Sequence, residues 1–145
     1  MKIRVPTEEE YRLHNGLHYH QLWRLIGDNW LCPGCGRSRY QIMKWTKRAP
    51  HSPQAFMGWV AAIHKHHDHS VGFSEQGIPR FPETIICGQC NSSDGVVKRQ
   101  LNLPSNFSFS PEEIRKFVRS APHEKHKICF ATAASIFNVL AITSR

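Results

Sequence analysis

Apolar residues recur at helical spacing in four stretches of this chain and cluster briefly in two others. Thr7-Glu8-Glu9-Glu10 is a capping box, with Thr at the N-cap and Glu three residues on. It predicts a helix running to about Ile26, with a rough stripe of Tyr11, Tyr19, Leu22, Trp23 and Ile26 and a weak point at Asn15-Gly16. A second helix is predicted after Asn91 through Val96, Val97 and Leu101. Ser110-Pro111-Glu112-Glu113 opens a third, with N-cap Ser, Pro at the first helical position and Glu closing the box, and Ile114, Phe117 and Val118 on its buried face. The last, about Ile128 to Thr143, carries Phe130, Ala133, Ile136, Phe137 and Leu140. This apolar helix either completes the core or offers a homodimer interface.

Between these lie shorter signals. Phe56 to Ile63 is apolar with small residues inside it, which fits a short helix or a strand, and Thr84-Ile85-Ile86 reads as a short strand. Pro50 to Pro53 reads as a turn. Val71 to Pro82, interrupted by Gly72, Gly77 and Pro79, reads as an irregular loop, and Asn102 to Phe109 as a polar linker. The whole predicts one α+β domain over residues 1–145, with an N-terminal helix at 7–29, a core at 30–101 and C-terminal helices at 110–145. At 145 residues and 40% hydrophobic, the chain is long enough for one modest core.

Charge changes the picture. With 19 Lys+Arg against 11 Asp+Glu, the formal charge is +8, the electrostatic footprint of a nucleic-acid binder. The basic residues concentrate among flat rings in one segment, Arg37, Arg39, Tyr40, Lys44, Trp45, Lys47 and Arg48. Bases alternating with aromatics grip phosphates while stacking on sugars or bases; the same segment also reads as a hairpin with ordinary solvated charges. The first ten residues hold no apolar signal region and no apolar run has membrane-spanning length, so a soluble, intracellular (cytoplasmic) protein without membrane contact is expected.

Five cysteines remain to be placed. Cys32-Pro-Gly-Cys35 and Cys87-Gly-Gln-Cys90 are two pairs at identical spacing, and each such turn presents two thiolates to one tetrahedral ion. Gly34 and Gly36 permit the first of these turns. A zinc site of Cys32, Cys35, Cys87 and Cys90 is therefore predicted, rather than a disulfide framework, and Cys129 is left as a buried small hydrophobe in an apolar stretch. Such a zinc would staple an insertion of about fifty residues.

That insertion carries His64-Lys-His66-His67-Asp68-His69, and Asn91 directly follows the last thiol. Imidazoles, a carboxylate and an amide are bases and ligands for a hydrolytic Mg²⁺-type or transition-metal site. They also fit a second zinc without catalysis, or a solvated loop. His14 and His18, four residues apart, lack a third ligand and read as a solvated helix face, and His51, His123 and His126 read as surface residues.

His66-His67-Asp68-His69-Ser-Val-Gly72 followed by Ile86-Cys87-Gly-Gln-Cys90-Asn91-Ser-Ser-Asp-Gly95 resembles the HNH (ββα-metal, His-Me finger) endonucleases, closest to the recombination endonuclease VII group. The resemblance covers roughly residues 30–100, and the terminal helices lie outside it. It implies a ββα-metal centre stapled by the structural zinc, and a metal-dependent hydrolysis of DNA phosphodiesters, duplex or branched. It also implies a His general base, one divalent cation (Mg²⁺ or Mn²⁺), and Asn91 as a cation ligand. The family's leading Asp corresponds to His66 in the Gly72 register, which makes His67 the base; in the other register Asp68 is the ligand and His69 the base. Another departure is the long loop before the second knuckle, which displaces the family's Arg to Arg80. Lys98, about two turns after Asn91, is either a phosphate contact or a solvated helix lysine. The competing function is a non-catalytic zinc-stapled nucleic-acid-binding module.

Overall fold

The computed structural model describes residues 2–48, 53, 55–69 and 79–143. Its elements follow the order α1 (Glu8–Leu13), α2 (His20–Ile26), β1 (Lys44–Arg48), β2 (Phe56–Val60), β3 (Ile63–His66), β4 (Thr84–Cys87), α3 (Gly88–Gln100), α4 (Pro111–Phe117), β5 (Val118–Arg119), β6 (Lys127–Ile128) and α5 (Phe130–Thr143). This is a mixed α+β fold. The strands pair antiparallel as β1–β2, β3–β4 and β5–β6. His51, Gly72, Gly77 and most of the Pro50–Pro53 turn lie outside the described residues.

The N-terminal helix predicted over 7–29 is two short helices. Both capping-box bonds are made, Thr7 Oγ1 accepting from the Glu10 amide at 3.0 Å and Glu10 Oε1 from the Thr7 amide at 2.9 Å. The break falls at Gly16, whose φ is +77° and where a Cβ would stand 2.4 Å from Trp23 Cβ. Chain reversal there folds Trp23 back under α1, and no side chain fits the contact. His14 and His18 therefore do not share a helix face: His14 packs edge-on against Trp23 at 4.7 Å, and His18 sits in the turn with φ +71°.

The apolar stretch from Phe56 becomes β2 and the start of β3, resolving the helix-or-strand choice in favour of strands. β1, the heart of the basic aromatic segment, pairs residue for residue with β2 from Lys44↔Val60 to Arg48↔Phe56. β3 pairs with β4 from Ile63↔Cys87 to His66↔Thr84. The chain then passes straight into α3, so the second knuckle lies across a strand end and a helix start, and Asn91 is inside the helix rather than before it. Ser110 and Glu113 close the second capping box around Pro111, as the sequence requires.

The core gathers Trp23, Met43, Ile63, Ile86, Val97, Phe109, Ile114, Phe117 and Ala133 with three of the knuckle cysteines. Two sequence expectations fail here. Residues 107–109 are not a polar linker: Ser108 and Phe109 are fully buried, and Phe109 packs edge-on against Phe107 and Phe117. Cys129 is exposed, not buried, with its Sγ 3.1 Å from Thr132 Oγ1, because α5 begins one residue later and turns only one face inward. That face, through Ala133 and Phe137, completes the core, while Val139 and Ile142 remain exposed. No described helix is long and apolar enough to cross a membrane.

Candidate functional site

The four knuckle sulfurs converge. Cys32, Cys35, Cys87 and Cys90 place their Sγ atoms within 4.8 Å of one another, the only such grouping of His, Cys, Asp or Glu among the described residues. Sγ–Sγ distances are 3.8 Å for Cys32–Cys90 and 3.8 Å for Cys35–Cys87. A tetrahedron with metal–sulfur bonds of ~2.3 Å has edges of roughly 3.8 Å, so the spacing and the all-sulfur donor set suit zinc. Gly34 makes the approach possible: a Cβ there would lie 2.7 Å from Cys90 Sγ. Electrostatics point the same way. Hydrogen bonding from Cys32 pulls the Cys35 and Cys87 thiols below their ordinary range, while bonding to the other sulfurs pushes Cys32 and Cys90 above it. On their own the sulfurs cannot all ionise; a central dication lets them.

Arg37 and His126 cover this cluster, and neither role was foreseen. Arg37, expected on DNA, is buried; its Nε lies 3.4 Å from Cys35 Sγ, one Nη 3.6 Å from Cys87 Sγ, and the other Nη donates to the Ala121 and Glu124 carbonyls at 3.1 Å each. Concentrated negative charge on sulfur draws the guanidinium inward. His126, expected at the surface, is also buried, with Nε2 3.3 Å from Cys90 Sγ. Burial opposes its charge, but the sulfur contacts outweigh that and raise its pKa. His123 is buried too, bonding the Met43 carbonyl at 2.9 Å. Donors to metal-bound thiolates characteristically change metal affinity by ~10- to 100-fold. Arg37→Ala and His126→Ala are expected to release zinc to a competing chelator correspondingly faster, read by a colorimetric zinc indicator. Release at the wild-type rate in both would reduce these contacts to packing.

The histidine run leaves the end of β3 and crosses towards α3. His66 is buried, stacked on Phe81 with ring centroids 5.3 Å apart, and Nε2 lies 2.6 Å from the Phe109 carbonyl. In the neutral ring, donation there leaves Nδ1 as the free nitrogen, the pattern of metal-bound imidazoles whose other N–H is held by a carbonyl. Asp68 is buried as well, and Oδ2 accepts the Arg80 amide at 2.7 Å. His67 and His69 are exposed and meet edge to face at 4.5 Å. His69 Nδ1 lies 2.8 Å from Ser108 Oγ. Burial, then the nearby charges of His67 and Lys98, hold His69 below the ordinary imidazole pKa.

α3 faces this run. Asp94, buried, accepts the Phe109 amide at 2.8 Å and pairs with Lys98 at 3.1 Å, and Lys98 Nζ also donates to the Phe107 carbonyl at 2.9 Å. Lys98 is thus tied into the fold by an ion pair and a carbonyl bond rather than standing as a freely solvated lysine. Asn91, half-buried, lies one turn before Asp94 on the same face. Residues 107–109 are the strap: Ser108 and Phe109 bond His69 and His66 on one side, and Phe107 and Phe109 bond Lys98 and Asp94 on the other. Arg80 locks it from outside, through the Ser108 carbonyl and a two-pronged pair with Glu113 at 3.0 and 3.1 Å. The alternation Phe-Ser-Phe was the legible sign of this strap; Asp94 and Ser108 carried no motif of their own.

Of the basic aromatic segment, Arg39 is also internal, paired with Asp28 and stacked over Trp23 at 4.3 Å. Lys47 and Arg48 are exposed and Lys44 half-buried.

Fold and site define a small mixed α+β protein built around a four-cysteine cluster that could hold a zinc ion. Comparison with known family models, with curated proteins and with solved structures found no match to this chain.

Proposed function

We propose that this protein is a metal-dependent DNA endonuclease of the HNH type, with a structural zinc on Cys32, Cys35, Cys87 and Cys90. The supporting observation is the strand–strand–helix order β3–β4–α3, fixed at its junction by the cysteine cluster, with exposed His67 and His69 delivered opposite the α3 face that bears Asp94 and Lys98. The residues suited to hold a catalytic cation are Asn91 with either His66, by its tautomer, or Asp68, by its oxygen donors. When bound, Mg²⁺ or Mn²⁺ neutralises charge at the scissile phosphate.

This chain's own part is proton transfer and positioning. A neutral imidazole, His67 or His69, takes a proton from water; for His69 the accepting nitrogen is Nε2, because Nδ1 is engaged by Ser108. The resulting hydroxide forms a bond to phosphorus as the phosphorus–oxygen bond to the 3′ side breaks, and the departing 3′ oxygen takes a proton from solvent to leave as a hydroxyl. One such centre cuts one strand, so double-strand scission requires two protomers or two events.

A second reading, a non-catalytic zinc-stapled nucleic-acid-binding module, draws on the burial of His66 and Asp68 within internal hydrogen bonds. Incubating supercoiled plasmid with Mg²⁺ or Mn²⁺, with and without EDTA, separates the two. Nicking or linearisation that EDTA abolishes is the expected result. Tight binding with no cleavage under either ion establishes the module instead.

A further inference from the structure

Two cavities adjoin along β1. The smaller, about 250 Å³, lies between the Lys44, Thr46 and Arg48 side of the strand and the first turn of α3 at Gly88 and Gln89. The larger, about 730 Å³, lies between Trp45 and Lys47, the N-terminal segment at Lys2 and Arg4, and the loop 123–125. Lys44 and Lys125 line both, so the two meet at these lysines, round the edge of β1, as one trough with a wall on each face of the strand.

Its walls are strongly basic. Lys2, Arg4, Lys44, Lys47, Arg48 and Lys125 line it with solvent access, against Glu124 as the one acidic lining residue among those described. With the buried Arg37, seven of the chain's 19 Lys and Arg line it against one of its 11 acids. Arg4 is held in place: its guanidinium lies 3.5 Å from the Trp45 ring centroid, and Tyr40 Oη donates to the Pro6 carbonyl at 2.7 Å, anchoring the segment that carries it. A guanidinium held over an indole face still has N–H groups to offer an anion.

We infer that this trough binds the phosphate backbone of duplex DNA, with the N-terminal segment and Lys125 forming the wall that faces β1. The inference rests on the nucleic-acid reading above but not on catalysis. A small anion calls for donors converging on one point. Here the cations are strung out: Lys44 and Arg48 are separated by about 13 Å along the strand, roughly four nucleotide steps at 3.4 Å each. An extended polyanion matches that layout, and its path would run out over the start of α3, the helix that carries Asn91.

The test uses zinc-loaded full chain and a short duplex, with binding followed by anisotropy across a salt series without divalent cations. Lys2→Gln/Arg4→Gln/Lys125→Gln touches neither the cysteine cluster nor the histidine run. Each lost phosphate contact flattens the slope of log K against log salt by ~0.9, so the triple variant should lose roughly 2 to 3 from it, with zinc content unchanged. An unchanged slope overturns the inference, whether or not the wild type cleaves DNA. A changed slope in a protein that never cleaves sustains it while removing the nuclease reading. Should the triple variant lose its zinc, Lys125→Glu alone takes its place, with weaker duplex binding expected and unaltered binding overturning the inference. Competition by inorganic phosphate as effective as by DNA would likewise assign a small-anion site instead.

Discussion

Cys32→Ser or Cys90→Ser is expected to abolish the cooperative thermal transition, and metal analysis of wild-type protein purified under reducing conditions to find about one zinc per chain. Both sulfurs are fully buried, and the cluster joins parts of the chain that otherwise share little. Cys32 and Cys35 belong to the turn before β1, Cys87 ends β4, and Cys90 lies in the first turn of α3. Through Arg37 the same cluster reaches the carbonyls of Ala121 and Glu124, between β5 and β6. Apparent zinc-binding free energies on the order of 10–16 kcal/mol in small zinc domains exceed the net stability of a typical domain, so binding energy here is folding energy. Losing one ligand also leaves the buried Arg37 guanidinium beside fewer thiolates. Circular dichroism melts with and without a strong chelator check this. A zinc-free chain that still melts cooperatively overturns the structural role of the metal.

The cysteine cluster was legible because C-x2-C is a local pattern whose geometry is set within four residues, and two copies need only meet. The capping boxes at Thr7 and Ser110 were legible for the same reason: the bonds join residues three apart. What failed to show was long-range. Arg37 and Arg39 look like solvent-facing bases in an aromatic-rich segment, yet one is drawn onto sulfurs up to 50 residues away in sequence and the other onto Asp28. His126 and Ser108 sit 36 and 39 residues from the partners that give them meaning. Charge near a zinc motif reads as nucleic-acid contact unless the partners are known. The trough illustrates the converse. Lys44, Lys47 and Arg48 were visible as a basic strand, whereas Lys2, Arg4 and Lys125 join them only by folding.

Replacing one of His67 and His69 by Ala is expected to lower DNA cleavage by ~10²- to 10⁴-fold, the usual cost of losing a general base, while zinc content and duplex binding persist. Both rings are exposed and touch, so removing either leaves the buried supports at His66, Asp68 and Asp94 in place. Asn91→Ala is expected to lose cleavage and to weaken the dependence on the divalent ion, again with zinc retained. The pH profile carries an independent sign. A base must be neutral, so the rate rises with pH as the imidazole loses its proton. Because burial and neighbouring charge hold His69 below the ordinary imidazole range, a profile governed by His69 rises at lower pH than an unperturbed imidazole would give. Ser108→Ala, which removes the partner of Nδ1, is expected to shift that rise if His69 is the base and to leave it alone if His67 is. Wild-type cleavage rates in both His67→Ala and His69→Ala would remove the nuclease reading of this run and leave the binding module in its place.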